Sequence, residues 1–498
     1  MLFDFEDNRT WKGLLVLGVL LNVLVCFTSD LGLDTHVKMA VDESGALPWG
    51  DLRPDTAGFS DPSDGGERTV LPIYSGSEAA IKGLALVSFF GLIAFVHSAV
   101  GLRSATVLSL SPAFIFSIGR GYEEVYFAAV FTLAFGLFSG LWSDKGRAGQ
   151  SLVGGWLLMC IPYAKGMAAL PTVLGLGGLL GAFGMIWYWM QHHESSRLSW
   201  SKQPLLSGGA GVGMTSLLML AVGGFGWSPT LAVMADHPLK YASSLLLAVF
   251  DGVVVFMLFG MVLWPLVMPT IQAMKGMKHA TISTMVAMIS AACTALVFYI
   301  AALWTYEAVL WGAPWPGMVW TMGNNGRYVT LLFIPCVLLL KHIDLESSTP
   351  TFESPNQLTK AIGVTLLLLL PLTLLASVHG QTMWTDEAAE VMPVEQGDHF
   401  LFVSEATLGM HWLYTFYEPL DAEANNLTGH WRSMDVNWVD DLEQNLSQVT
   451  VIVLSPEVSN VPTGWGVESS GEADLLNGGG EWRVFCLLYT SPSPRDRG

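Results

Sequence analysis

Acidic side chains that could take up a proton follow two apolar segments of this chain. Asp34 stands just beyond the first segment, with Asp30 and His36 close to it, and Glu123 and Glu124 stand just beyond the third. A carboxylate at the end of an apolar segment can reach water and stay ionised without the cost of burial. Such a group can act as a general base toward a hydroxyl group. The alternative is that these residues are ordinary solvated acids.

Cationic side chains that could hold a phosphate lie at other segment ends. Arg120 precedes the two glutamates, Lys165 follows the fifth apolar segment, and Arg327 with Tyr328 opens the tenth. Arginine and lysine both bind phosphate oxygens, arginine often with two parallel hydrogen bonds. Each position also has a structural alternative: a surface ion pair for Arg120, contact with lipid headgroups for Lys165, and an interfacial anchor for Arg327 and Tyr328.

Asp251 differs from these residues because it lies inside an apolar segment, 243–268. An acid within a membrane is costly and is a functional candidate for that reason. Its position near the outer end of the segment would let a water-filled cavity reach it. A hydrogen bond between two helices is the alternative.

The composition indicates the elements that must position these side chains. The chain is 52% hydrophobic and 13% charged, whereas about a quarter of the residues of a soluble protein are charged. Repeated apolar runs of about 17–25 residues predict membrane spans, which must be helical because a helix satisfies its own backbone. We therefore expect an all-α polytopic membrane protein with about eleven helices. The predicted spans are 11–28, 81–100, 105–118, 125–141, 149–163, 168–190, 208–225, 243–268, 280–303, 327–340 and 361–378.

The basic loops predict the orientation. Lysines and arginines fall in loops of one parity, which places those loops and the N-terminus in the cytoplasm. The outer face then carries the loop 29–79, the turn Gly119–Glu124, the wider loops 226–242 and 304–326, and everything after residue 378. Spans such as 105–118 are too short to cross a bilayer upright at about 1.5 Å per residue, so we expect them to frame a cavity open to the outer face.

The C-terminal part has a different pattern. Residues 400–403 and 449–454 are rich in β-branched and aromatic residues and predict strands, with a helix over 406–417 between them. We expect a small extracytoplasmic α/β domain over 379–485, following a transmembrane domain over 1–378. Residues 486–498 resemble a translated sequencing adapter, so we expect them to be a scar and the domain to be truncated. The net charge of −19 leaves no basic footprint for nucleic acid.

Four short motifs together resemble the GT-C superfamily of membrane glycosyltransferases. They are 33–40 (LDTHVKMA) after the first span, 121–127 (GYEEVYF) after the third, 165–171 (KGMAALP) after the fifth, and 326–329 (GRYV) before the tenth. The resemblance implies transfer of a sugar from a polyprenyl-phosphate donor at the outer leaflet, usually with inversion. It implies that Asp34 is the base, that Glu123 and Glu124 position the acceptor or a metal, and that Lys165 and Arg327 hold the donor phosphate.

The first motif departs from the family pattern, because Asp34 is followed by Thr35 and not by a second acid. No cofactor is therefore assigned, and a divalent metal, Mg²⁺ or Mn²⁺, stays open. The expected partners are the polyprenyl-phosphate sugar, membrane lipids, and a lipid, glycan or protein acceptor. The alternatives are a transporter or flippase for lipid-linked sugars, which would use the same cations and Asp251, and a non-catalytic membrane scaffold.

Overall fold

The computed structural model describes residues 7–41, 47–49, 71–141, 145–165, 167–310, 325–346, 363, 367, 371, 383–405, 409–473 and 479–487. The chain divides into two compact units. The first comprises Met1–Thr28, Ser77–Tyr306 and Val319–Val378, and the second comprises Ser29–Gly76, Glu307–Met318 and His379–Gly498. The sequence predicted another division, with 29–79 as a loop of the transmembrane domain. Most of the predicted span 361–378 lies outside the described residues.

Helices dominate the part of the chain that is described. In chain order they are α1 Asn8–Thr28, α2 Leu33–Met39, α3 Glu78–Val100, α4 Leu102–Ser109, α5 Pro112–Gly119, α6 Glu124–Ser139, α7 Arg147–Ala164, α8 Leu170–His192, α9 Pro204–Gly224, α10 Pro229–Asp236, α11 Pro238–Phe259, α12 Trp264–Met274, α13 Ala280–Leu310, α14 Val329–Glu346, α15 Trp384–Val391, α16 Gly409–Leu413 and α17 Trp438–Asn445. Short 3-10 turns cover Pro72–Ser75, Ser196–Lys202, Gly326–Tyr328 and Tyr414–Phe416.

Several of these helices could cross a membrane by length and composition. Among the described residues there are 7 such helices, or 8 if the bent pair α4 and α5 is one span. This is compatible with an integral membrane protein, but the predicted count of eleven spans is not confirmed. The long apolar helices are α1, α3, α8, α9 and α11, together with Ala280–Thr305 of α13 and Gly326–Glu346, which includes α14.

Two of the predicted spans are broken in the structure. The prediction of one helix over 105–118 is wrong, because α4 and α5 meet at an angle of 52°. Pro112 begins α5; it has no N–H to continue α4, and its ring disfavours helical backbone at the preceding residue. The span 243–268 is likewise divided into α11 and α12 at Gly260–Leu263, where Pro265 stands in the first turn of α12.

Three predicted outer loops contain helix, and one of them is 304–326, into which α13 extends as far as Leu310. The segment 226–242, expected to be a loop, holds α10 and the first turn of α11, both of which start at a proline. Proline suits this position because the first helical N–H groups have no partner within the helix. The expected loop 29–79 contains α2, and Asp34 lies in the first turn of that helix. Asp34 is therefore held by regular backbone and not by a loop.

In the first unit, α7 and α8 pack with their backbones close together. A Cβ on Gly155 would collide with the carbonyl oxygen of Gly177 and with the backbone of Gly181. Small residues that permit such an approach are common where membrane helices associate. This contact matters for Lys165, which caps the C-terminal end of α7 and lies between the two helices in the sequence.

The second unit contains a five-stranded sheet. Its strands are β1 His399–Ser404, β2 Thr428–Ser433, β3 Val449–Leu454, β4 Trp465–Glu472 and β5 Glu481–Leu487, in the spatial order β2-β1-β3-β5-β4. The first three are mutually parallel, whereas β5 runs antiparallel to β3 and β4. The predicted strands 400–403 and 449–454 are confirmed. The predicted helix 406–417 is α16 followed by a 3-10 turn, and residues 406–408 lie outside the described part.

Both faces of this sheet are covered. Phe400 and Phe402 of β1 pack into one apolar cluster, and Leu401 and Val403 pack into another with α17. Trp49 belongs to the first cluster: its Nε1 donates to the carbonyl of Leu427 at 3.1 Å. Parallel strands buried on both faces are expected to be continuous apolar runs. Because Trp49 lies in this cluster, the segment that follows α1 is part of the core of this unit.

Substituting Gly155 tests the close packing of α7 and α8. We expect Gly155→Ala to lower the free energy of unfolding by about 1–3 kcal/mol, because the added methyl meets backbone that cannot turn aside. Gly178→Ala on α8 is the matched control, since a Cβ there has open space within 4 Å. Thermal unfolding of the purified proteins in detergent measures both. Equal melting temperatures for the two variants would contradict the packing described here.

Candidate functional site

The turn between α5 and α6 places Glu123 and Glu124 at the start of a helix. Gly121 has a φ of 66°, a left-handed conformation that favours glycine. It lets the N–H of Tyr122 donate to the carbonyl of Ser117 at 3.0 Å and so close the end of α5. The chain then enters α6 at once, with both glutamates directed into the first unit and almost fully buried.

Lys165 lies against both glutamates. It is the residue that caps α7, and its Nζ is 2.8 Å from Oε1 of Glu123 and 2.8 Å from Oε1 of Glu124. The rings of Phe127 and Tyr328 flank the ammonium at 5.5 and 5.8 Å. The structure thus brings together residues that are 41 positions apart in the sequence.

Arg327 completes this group from the 3-10 turn that precedes α14. Its Nε is 3.6 Å from Oε1 of Glu124, and its guanidinium lies over the ring of Tyr122 at 4.8 Å. An Nη donates to the hydroxyl of Tyr328 at 3.1 Å. A Cβ on Gly326 would collide with the ring of Phe259, so the turn needs glycine in order to approach α11. We call Glu123, Glu124, Lys165 and Arg327 the charged cluster.

The charged cluster holds two cations and two anions with little exposure to water. Burial by itself would lower the pKa of the Lys165 ammonium, but the carboxylates of Glu123 and Glu124 raise it, and the net pKa lies well above the usual value. Lys165 therefore stays charged. Oε2 of Glu124 is buried without a hydrogen-bond partner among the described residues. This oxygen leaves the cluster able to accept a further hydrogen bond, such as one from a substrate hydroxyl.

Asp251 contacts the turn that carries Arg327. Its Oδ2 accepts a hydrogen bond from Nδ2 of Asn325 at 2.9 Å, and Asn325 stands two residues before Arg327. Both side chains are buried, and Oδ1 of Asp251 has no hydrogen-bond partner among the described residues. Asp251 therefore connects α11 to the charged cluster through Asn325, a residue that the sequence analysis missed.

Arg120 was also expected to join the two glutamates. It is the residue that caps α5, and its guanidinium lies over the ring of Phe116 at 4.9 Å. Phe116 in turn contacts Tyr122, whose ring lies under Arg327. Arg120 therefore borders the charged cluster through a chain of aromatic contacts.

The residues predicted around Asp34 lie together in the second unit. Oδ1 of Asp34 is 3.4 Å from Nε2 of His411, and Oδ1 of Asp30 is 3.8 Å from Nε2 of His36. These contacts form two acid–histidine pairs. His411 was missed because it is far from Asp34 in the sequence, and no local spacing connects them. Its position in the predicted helix 406–417 was the only available signal.

The local fold explains how His411 reaches α2. α16 packs against α2 and against β2. A Cβ on Gly409, the first residue of α16, would collide with the indole of Trp431 on β2. Glycine there allows the helix to lie close to the sheet, and the same turn then presents His411 to Asp34.

The predicted residues thus fall into two groups. Glu123, Glu124, Lys165, Arg327 and Tyr328 meet in the first unit, with Asp251 joined to them through Asn325. In the second unit Asp34 meets His411, and Asp30 meets His36. The expected convergence of Asp34 with the two glutamates stays a prediction. Among the described residues there is no group of three or more His, Cys, Asp or Glu side chains placed to hold a metal ion.

Comparison of the chain with protein-family models, curated proteins and solved structures gave no match. The chemistry of the charged cluster and of the two acid–histidine pairs is therefore argued from their geometry and from the motifs in the sequence.

Substituting Lys165 tests the balance of charge in the cluster. We expect Lys165→Met to lower the free energy of unfolding by about 3–5 kcal/mol, because two buried carboxylates lose their common cation. Adding Glu123→Gln and Glu124→Gln should restore part of the loss, since the amides carry no charge. Lys278→Met is the control, because Lys278 is exposed. Unfolding in detergent measures each variant, and a neutral effect of Lys165→Met would contradict the ion pairs.

Proposed function

We propose that the chain is an integral membrane glycosyltransferase of the GT-C type, which moves a sugar from a polyprenyl-phosphate donor to an acceptor hydroxyl on the extracytoplasmic face. The observation that carries this proposal is the meeting of three motifs in one buried cluster. The glutamates after α5, the lysine after α7 and the arginine before α14 are the residues on which the resemblance rests, and they contact one another.

The cluster offers a hydrogen-bond acceptor and two cations, which are groups that such a transfer uses. Oε2 of Glu124 can accept a hydrogen bond from an acceptor hydroxyl, while Lys165 and Arg327 can hold a phosphate. A phosphate that enters a neutral cluster must compete with the carboxylates for these cations. We therefore expect Lys165 to pass from a glutamate to the phosphate oxygen as that glutamate turns to the acceptor.

The reaction is a displacement at the anomeric carbon of the sugar. The acceptor oxygen forms a bond to this carbon, and the bond from the carbon to the phosphate oxygen breaks with its electron pair left on the phosphate. Asp34 takes the proton of the acceptor hydroxyl. Lys165 and Arg327 stabilise the charge that develops on the leaving phosphate, which is electrostatic stabilisation by two cations held close to the reacting group.

A flippase for lipid-linked sugars is the second candidate. Asp251 favours it, because an acid buried in a helix apolar enough to span a membrane is typical of transport pathways. A flippase moves the intact donor and releases no polyprenyl phosphate. Measuring this product therefore separates the two functions.

The test is a transfer assay with the purified chain, polyprenyl-phosphate hexose and lipid, glycan or peptide acceptors. We expect the wild type to release polyprenyl phosphate, and Asp34→Asn to lower kcat by about 10²–10⁴-fold, as for loss of a general base. Asp236→Asn is the matched control, because Asp236 is an exposed acid at the end of α10. Parallel reactions with EDTA and with added Mg²⁺ or Mn²⁺ measure the metal requirement.

Equal turnover by the wild type and Asp34→Asn would remove Asp34 from the mechanism. Movement of the donor between leaflets without release of polyprenyl phosphate would replace the transferase with the flippase.

A further inference from the structure

The contact between Asp34 and His411 offers a role that the motifs do not assign. The Nε2 and Oδ1 atoms are 3.4 Å apart, and both side chains are partly exposed, at 20% for His411 and 24% for Asp34. A substrate hydroxyl can therefore reach the pair. Hydrogen bonds of catalytic groups are often long in the absence of substrate and shorten when it binds.

An imidazole beside a carboxylate affects it in two opposite ways. With a hydrogen on Nε2, neutral His411 can donate a hydrogen bond to Oδ1 of Asp34 when the 3.4 Å contact shortens, and this bond fixes the plane of the carboxylate. Protonated His411 binds the same carboxylate as a cation and makes it a weaker base, because an adjacent positive charge favours the ionised acid. Histidine changes between these states at about pH 5–8.

We infer that His411 is a positioning residue for Asp34, whose neutral imidazole orients the carboxylate toward the acceptor hydroxyl and whose protonation weakens the base. This inference rests on the proposed function. In the step concerned, the acceptor O–H bond breaks as the acceptor oxygen bonds to the anomeric carbon. The proton goes to Oδ2 of Asp34, Oδ1 keeps the hydrogen bond from Nε2, and the electron pair of the broken sugar–phosphate bond goes to the phosphate.

The neighbouring pair of Asp30 and His36 provides an internal comparison. Its atoms are 3.8 Å apart, and its side chains are more buried, at 6% for His36 and 10% for Asp30. The N–H of Leu31 donates to Oδ1 of Asp30 at 2.6 Å, so this acid has a local structural role at the start of α2. We therefore assign the chemical role to the pair of Asp34 and His411 and not to this one.

Other ionisable groups lie on the elements that pack against α16. Lys38 on α2 lies over the ring of Tyr74 at 5.2 Å. Nδ1 of His399 on β1 is 3.0 Å from Nε2 of His430 on β2. Burial lowers the pKa of His399, and the charge of His430 lowers it further. The ionisable side chains on these elements and directly before α2 are Asp30, Asp34, His36, Lys38, His399, Tyr414, His430 and Arg432.

The first experiment is the pH profile of kcat in the transfer assay. We expect kcat of the wild type to rise between about pH 5 and 8 as His411 loses its proton. His411→Gln keeps an N–H donor but cannot become charged. It should therefore stay within about threefold of the wild type at pH 8 and lose the rise at lower pH. His411→Ala removes the donor and should lower kcat about 10–100-fold at pH 8, where the wild-type imidazole is neutral, while KM changes little.

His36→Gln is the matched control, and it should keep the rise of the wild type with pH. A His411→Gln profile that keeps the rise, or a His36→Gln profile that loses it, would overturn the role of His411. An inactive wild type would overturn the proposed function, and this inference with it.

The second experiment does not depend on activity. A double-mutant cycle of Asp34→Asn and His411→Gln is measured on the full chain by thermal unfolding at pH 5.5 and pH 8. We expect a coupling of about 1–3 °C at pH 5.5, where an imidazolium faces the carboxylate, and a smaller one at pH 8. A coupling of zero at both pH values would overturn the pairing of Asp34 with His411, whatever the transfer assay shows. A coupling of equal size at both pH values would overturn the change of His411 from the protonated to the neutral form.

Discussion

The ion pairs of Lys165 with Glu123 and Glu124 are the interaction on which the first unit most depends. In a bilayer, apolar surfaces give helices little reason to choose one partner over another, because lipid tails are as apolar as leucine. Buried carboxylates are different, since they cannot stay ionised without a cation. The single ammonium therefore ties the end of α7 to the start of α6, and Arg327 adds the start of α14.

The apolar pattern predicts helices well and predicts their interruptions poorly. A hydropathy pattern marks 105–118 and 243–268 as continuous, but Pro112 and the segment Gly260–Leu263 divide them. The members of the charged cluster could be chosen from the sequence because charge is rare in such segments. Their partners could not be chosen in this way. Asn325 and Tyr122 are uncharged, and their importance appears only when the turn of Arg327 meets α11 and α6.

The second unit also contains some elements that the sequence predicts and others that it does not. β3 is buried on both faces and consists of Val, Thr, Ile and Leu, so its sequence predicts a strand. β4 lies at the edge of the sheet and contains glycine, serine and glutamate, which gives no strand signal. The spacing of the sequence does not predict the contact of His411 with Asp34, because this contact depends on α2 joining the core of this unit through neighbours such as Trp49.

The hydrogen bond between Asp251 and Asn325 has a consequence for biosynthesis. The two residues are 74 positions apart, so α11 leaves the ribosome well before its partner exists. In a helix that crosses a membrane, an aspartate that enters the lipid unpaired costs about 2.5–3.5 kcal/mol on the scale set by the translocon. The leucines, valines and phenylalanines around it outweigh this cost. If α11 crosses a membrane, as its length and composition allow, its own apolar residues must carry Asp251 into the bilayer, and the pairing with Asn325 follows when the later helices assemble.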